Sequence, residues 1–123
     1  MAAPNILSLS TITGKTVGVG IQTTAGTLVG ILTNSAASGM VLKINHLRVT
    51  NNSSTTSTSF DVIYNDTNSN LIGIASNFTI PVGAAIVVID KDSSTYVEEN
   101  CSIQVSVAST VHLTFLVSYE ELS

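Results

Sequence analysis

Few residues of this chain could do chemistry: His46, His112, Cys101 and the short run Asp90-Lys91-Asp92-Ser93-Ser94. A histidine pair would suit a transition metal, but no Asp or Glu stands at ligand spacing from either ring. His46 falls at an expected bulge and His112 on the more polar face of the last strand, so both read as surface or interface histidines. The acidic run opens like a calcium loop, which needs Gly at its sixth position for the sharp turn and Glu at its twelfth as bidentate ligand. Counted from Asp90, those positions hold Thr95 and Cys101. A charged turn between strands is the better reading; a weak site drawing on Glu98 or Glu99 is the alternative.

Cys101 follows Glu98-Glu99-Asn100, whose charges oppose thiolate formation, and no cation is near in sequence. A quiet, partly buried thiol is expected. Lys15, Lys43 and Lys91 raise a sharper idea: an isopeptide bond to an Asn across a sheet, with Asp or Glu as proton shuttle. Asn51, Asn52, Asn65, Asn77 and Asn100 begin Asn-x-Ser/Thr triplets, expected by chance in a chain this rich in all three residues. No Gly-x-Ser-x-Gly, phosphate loop or dinucleotide fingerprint is present. Three Tyr, three Phe and no Trp offer no stacking platform for sugars or single strands. The chain is therefore expected to be no enzyme and to carry no cofactor and no metal.

What surrounds these residues is a chain of 123 residues with four Lys or Arg and eight Asp or Glu, 10% charged where an average domain has about 25%. Hydrophobic residues make up 44%, and Ser, Thr and Asn most of the rest. A surface so poor in charge has little repulsion to keep it monomeric, which points to a subunit of an assembly. The net charge of −4 argues against a nucleic-acid partner. No apolar run reaches the length of a membrane helix. The start Met1-Ala2-Ala3-Pro4-Asn5 lacks the basic flank and apolar stretch of a secretory signal, and the lone cysteine allows no internal disulfide. Synthesis in a cytoplasm without export is expected.

Apolar residues recur with period two, the strand signal. Val111, Leu113, Phe115, Val117 and Tyr119 alternate with His112, Thr114, Leu116 and Ser118. Val, Ile and Thr, branched at Cβ, suit a pleated surface. The expected strands are Ile6–Ile12, Thr16–Thr23, Thr27–Thr33, Val41–Thr50, Ser59–Asn65, Asn70–Ala75, Phe78–Ile80, Ala85–Ile89, Ser102–Ala108 and Val111–Tyr119. The class is all-β, an antiparallel β-sandwich with jelly-roll or Greek-key wiring. It forms one domain over residues 15–123, preceded by an N-terminal arm or edge strand over 1–14. In Val41–Thr50 the apolar parity shifts at Asn45-His46, which predicts a β-bulge.

Three features look left over for partners. Ile6, Leu7, Leu9 and Ile12 need cover and could complete a neighbour's sheet. Gly18 and Gly20 leave one face of their strand bare. Leu116 is apolar on the outward face of the last strand. The Ser/Thr/Asn run Asn51, Asn52, Ser53, Ser54, Thr55, Thr56, Ser57, Thr58 cannot bury apolar area and is expected as an exposed hairpin tip. Its hydroxyls and amides could bind sugars.

The stretch from Asn34-Ser35-Ala36-Ala37-Ser38-Gly39-Met40 through Val41-Leu42-Lys43-Ile44-Asn45-His46-Leu47-Arg48-Val49-Thr50-Asn51 resembles small β-sandwich structural proteins of tailed-phage virions, of the cyanophage and marine-phage type. The second half follows the same order: Phe78-Thr79-Ile80-Pro81-Val82-Gly83-Ala84, Val88-Ile89-Asp90-Lys91-Asp92, Tyr96-Val97-Glu98-Glu99-Asn100 and Val117-Ser118-Tyr119-Glu120-Glu121-Leu122. The resemblance covers Asn34 to Leu122, and its motifs are architectural. Where relatives would carry Gly-Asp after the Glu pair, this chain has Asn100-Cys101. The resemblance implies a virion component made in a bacterial host's cytoplasm. It would be a capsid decoration or cement protein, with a neck, collar or tail part as the alternative and a receptor- or glycan-binding tip as the third. It implies a homo-oligomer, a trimer favoured, seated on the major capsid protein or other virion proteins, with no nucleic acid and no membrane involved.

Overall fold

The computed structural model describes residues 10–21, 28–66, 68, 70–108 and 112–123. Among them the strands are β1 (Ile12–Ile21), β2 (Val29–Asn34), β3 (Val41–Asn51), β4 (Thr58–Asn65), β5 (Leu71–Ile80), β6 (Ala85–Ile89), β7 (Thr95–Val97), β8 (Cys101–Val107) and β9 (Leu113–Leu122). One sheet runs β1-β9-β3-β6, with β7 also on β3; the other runs β2-β8-β4-β5. All pairs are antiparallel. β6 and β7 follow one another along the same edge of β3, interrupted by a 3-10 turn at Lys91–Ser93. Taken as one strand they complete the wiring of a jelly roll, in which the chain crosses repeatedly between two facing sheets. Among the described residues no helix is long and apolar enough to cross a membrane.

Alternation explains the core. On β9, Leu113, Phe115 and Val117 are buried while Thr114, Leu116 and Ser118 lie on the outer face. Phe115 meets Phe60 of the other sheet edge to face, ring centres 6.2 Å apart, and such a pair adds about 1 kcal/mol beyond its buried area. Around it Ile44, Leu47, Val49, Val62, Ile89, Ile103 and Val105 close the interior.

The expected bulge in β3 is present: the register against β9 slips between Ile44 and His46, leaving Asn45 as the extra residue. That slip is what lets Leu42 and Ile44 on one side, and Leu47 and Val49 on the other, all face inward.

Some expectations need correction. Asn70–Ala75 and Phe78–Ile80 are one strand, β5, carried through a bulge at Asn77 with φ 50°. The backbone N–H of Asn77 donates to Asp61 of β4 at 2.5 Å, and Ser106 Oγ holds the other carboxylate oxygen at 3.1 Å. β7 was not foreseen, and β9 runs on to Leu122. β1 begins at Ile12, before the expected start at Thr16, and is an edge strand of its sheet. β3 and β4 lie in different sheets, so Asn52–Ser57 crosses one end of the sandwich and closes no hairpin. At Asn100-Cys101 the turn closes with Asn100 at φ 61°, the left-handed region that Asn tolerates better than most residues.

Candidate interaction surface

From Thr67 to Ile89 no residue is charged. In the fold this stretch supplies β5 and β6, the last strands of the two sheets on one flank of the sandwich. The turn Pro81–Ala84 joins them, its Ala84 N–H donating to the Pro81 carbonyl at 3.2 Å and Gly83 supplying φ 69°. Passing from one sheet to the other leaves a groove of about 370 Å³ between the two edges, lined by Ile74, Ala75, Ser76, Phe78, Ile86, Val87 and Val88. Phe78 stacks on Phe60 at 5.9 Å on one side, yet is 48% exposed. Val87, Ile72 and Leu71 are about half exposed as well, and Val82 is exposed on the joining turn. Exposed apolar residues gathered in this way make the flank a candidate interaction surface, and depletion of charge is the compositional signature of an interface centre.

The residues expected to meet partners lie elsewhere. β1 is the far edge of the five-stranded sheet, separated from β6 by β9 and β3. Ile12 is 59% exposed there. Gly18 and Gly20 do carry no side chain on the outer face, but Leu116 of β9 and His112 just before that strand use the space. Leu116 Cδ1 lies 3.9 Å from where a Gly18 Cβ would stand, and His112 Nε2 lies 2.9 Å from where a Gly20 Cβ would stand. Leu116 is half-buried as a result. Ile6, Leu7 and Leu9 lie outside the described residues.

The Asn51–Thr58 segment is less exposed than expected at both ends: Asn51 is 1% and Thr58 7% exposed. The Asn51 side chain donates to the carbonyls of Thr56 at 3.0 Å and Ile80 at 3.3 Å, while its Oδ1 accepts from the Ser53 N–H at 2.9 Å. Ser53 Oγ in turn accepts from the N–H groups of Thr55 and Thr56. The exposed part is Asn52 and Ser54 to Ser57, with Ser53 half-buried and Asn52 bonded to Thr114.

The residues singled out for chemistry are not brought together. His46 sits level with Ser118 of β9, whereas His112 precedes that strand's first residue, about 20 Å along it. Asp90 Oδ1 accepts from Asp92 N, Ser93 N and Ser93 Oγ, each at 3.0 Å, and so caps the 3-10 turn. Among the described residues no three His, Cys, Asp or Glu side chains cluster to hold a metal ion. Cys101 is buried, with Sγ 3.6 Å from the Glu99 carbonyl. Nearby, the Tyr64 hydroxyl accepts from the Glu98 N–H at 3.3 Å, and burial first of all pushes its phenol up to about 12.

One constellation does match the isopeptide idea in composition. Lys15, Asn45 and Glu120 line an open cleft of about 330 Å³, with Asn45 Nδ2 donating to Glu120 Oε1 at 3.1 Å. Its chemistry runs the wrong way. Lys15 is 47% exposed and bonded to Glu121 at 3.0 Å, and that hydrogen bond, with the carboxylate's charge, raises the amine's pKa. A protonated amine cannot attack an amide.

Sequence reasoning passed over the β5–β6 flank, although a signal was there: Leu71, Ile72, Ile74 and Ala75 are apolar at both parities, which a strand solvated on one face does not need. No protein-family model matches the chain, and no curated protein matches it.

Proposed function

We propose that this chain is a structural subunit of a tailed-phage particle, a decoration or cement protein that sits on the head shell as a homo-oligomer and stabilises it. The observation that carries the proposal is the uncharged β5–β6 flank with its half-exposed Phe78, Val87, Ile72 and Leu71. The resemblance of Asn34–Leu122 to small virion β-sandwich proteins supports the particle as its setting. Each contact through such a flank is small. Repeated over the symmetry of a shell, many small contacts act together, because what binds only the assembled state stabilises it by mass action. A trimer on a local three-fold axis would present three flanks at once. The partner in this reading is the major capsid protein.

The test is stoichiometry in purified particles. A decoration protein is expected at a copy number on the order of that of the major capsid protein. A handful of copies per particle moves the chain to the neck, collar or tail, and absence from particles overturns the proposal.

A further inference from the structure

At the end of the sandwich opposite the Asn52–Ser57 crossing, β2 and β4 finish and β8 begins. Thr33, Ser102 and Asn65 stand side by side there, Ser102 in register with Thr33 on one side and Asn65 on the other. Ser35, Asp66 and Asn100, from three different turns, rise around them, and together they line a cleft of about 200 Å³ with Asn34 and Cys101 at its base. That is the volume of roughly six or seven waters, room for one sugar ring.

The lining is rigid where it is held and open where it could bind. Asn34 is buried and bonded to Met40, Val97 and Ser38. The Asn100 N–H donates to the Asn34 carbonyl at 2.9 Å. Asp66 accepts from Asn68 N and Asn70 N through Oδ1, and from Asn70 Nδ2 through Oδ2. By contrast, the side chains of Thr33, Ser35, Asn100 and Ser102 make no hydrogen bond among the described residues, and Asn65 Oδ1 is buried with no donor.

We infer that this cleft is a binding site for a neutral polyhydroxylated ligand, a saccharide. Hydroxyl groups both donate and accept, which answers the free hydroxyls and the Asn100 amide. Among the described residues no cationic side chain lines the cleft to hold an anion, and the Asp66 carboxylate already accepts three hydrogen bonds. No aromatic ring lines it among the described residues, so affinity comes from hydrogen bonds and is weak for a single sugar. This goes beyond the architectural role and stands or falls separately from it.

The experiment titrates D-glucose, D-galactose and N-acetyl-D-glucosamine, each alone, into the isotopically labelled chain and follows backbone and Asn side-chain amides by NMR. Saturable shifts at Asn65, Asn100 and Ser102 with at least one sugar are expected. Asn100→Gly removes the wall's amide while keeping the left-handed backbone, so it should leave the denaturation midpoint in place and weaken binding roughly tenfold or more. The inference is overturned if no sugar gives saturable shifts, or if the shifts fall on Asn52–Ser57. It is equally overturned if calcium chloride alone reproduces them, or if they persist unchanged in the Asn100→Gly, Ser102→Ala double variant.

Discussion

The side-chain amide of Asn34 donates to the backbone carbonyl of Val97, 63 positions away, at 3.0 Å. Asn34 ends β2 in one sheet and Val97 ends β7 in the other, so a single buried side chain ties the two layers at this end. The same amide reaches the Met40 carbonyl at 2.9 Å, and its oxygen accepts from Ser38 Oγ. Asn51 does the corresponding work at the opposite end, joining β3 to the carbonyl that ends β5.

Asn34→Ala therefore takes a donor from two carbonyls and the acceptor from the Ser38 hydroxyl, which keeps the Met40 N–H, at a side chain that is 1% exposed. A loss of about 2–4 kcal/mol is expected, at 1–3 kcal/mol for each buried group left unmet. Urea denaturation checks it, and a loss under about 1 kcal/mol would mean that water replaces the amide.

Asp61 and Asn77 form a second local device. Asp61→Ala frees the Asn77 N–H and Ser106 Oγ, and should cost about 1–3 kcal/mol, since both bonds are to an ionised acceptor. Asn77→Gly, which keeps φ 50° without a side chain, should be close to neutral. Asn77→Val should be the worse of the two at that position, because a β-branched residue resists φ > 0. Thermal melts of the variants test the order.

Much of the scaffold was readable because alternation is a local property. Phe115 and Leu116 are neighbours, and parity alone assigns one to the core and one to the outer face; the bulge at Asn45 was visible because parity breaks there. β5 was not readable as one strand, since Leu71, Ile72 and Ile74 show no alternation and the bulge at Asn77 owes its stability to Asp61, 16 positions earlier. The buried anchors were hidden for the same reason. Asn34 and Asn51 sit in Ser- and Thr-rich runs that look like open loop, and their partners at Val97 and Ile80 are set by the tertiary fold. The uncharged run of the β5–β6 flank was in the sequence, but that it supplies two edge strands lying side by side is set by the tertiary fold.

The contrast between Phe115 and Leu116 can be measured directly. Phe115→Ala removes a fully buried ring and should cost about 3–5 kcal/mol. Leu116→Ala trims a half-buried side chain on the outer face and should cost under about 1 kcal/mol. Equal losses in denaturant titrations would refute the assignment of faces.

Asp66 links stability to pH. Hydrogen bonds from the Asn70 backbone, and from its side chain and Asn68, hold its carboxyl below the ordinary value of 3.8. A depressed folded-state pKa gives a contribution that is fully present above the unfolded value and fades as pH falls through the folded one. Asp66→Asn should therefore be less stable than the parent at neutral pH, with the gap closing in strong acid. A gap that widens in acid would reverse the sign and with it the role of those donors.

The flank of β5 and β6 makes the sharpest functional prediction. Phe78→Asp and Val87→Asp place a charge where the sequence has none from Thr67 to Ile89. Val87 is 49% exposed and makes its inward contacts only in part, so its variant should fold with a denaturation midpoint near that of the parent. Phe78 also stacks on Phe60, so its variant should lose about 1–2 kcal/mol as well. Burying an unpaired carboxylate in an interface costs several kcal/mol. Sedimentation of the isolated chain and rebinding to stripped particles should both fail for Val87→Asp. They should survive Ile12→Asp, whose side chain is exposed at the opposite edge of its sheet. If Ile12→Asp abolishes assembly and Val87→Asp does not, the partner surface is the β1 edge and the β5–β6 flank is an ordinary exposed margin of the sandwich.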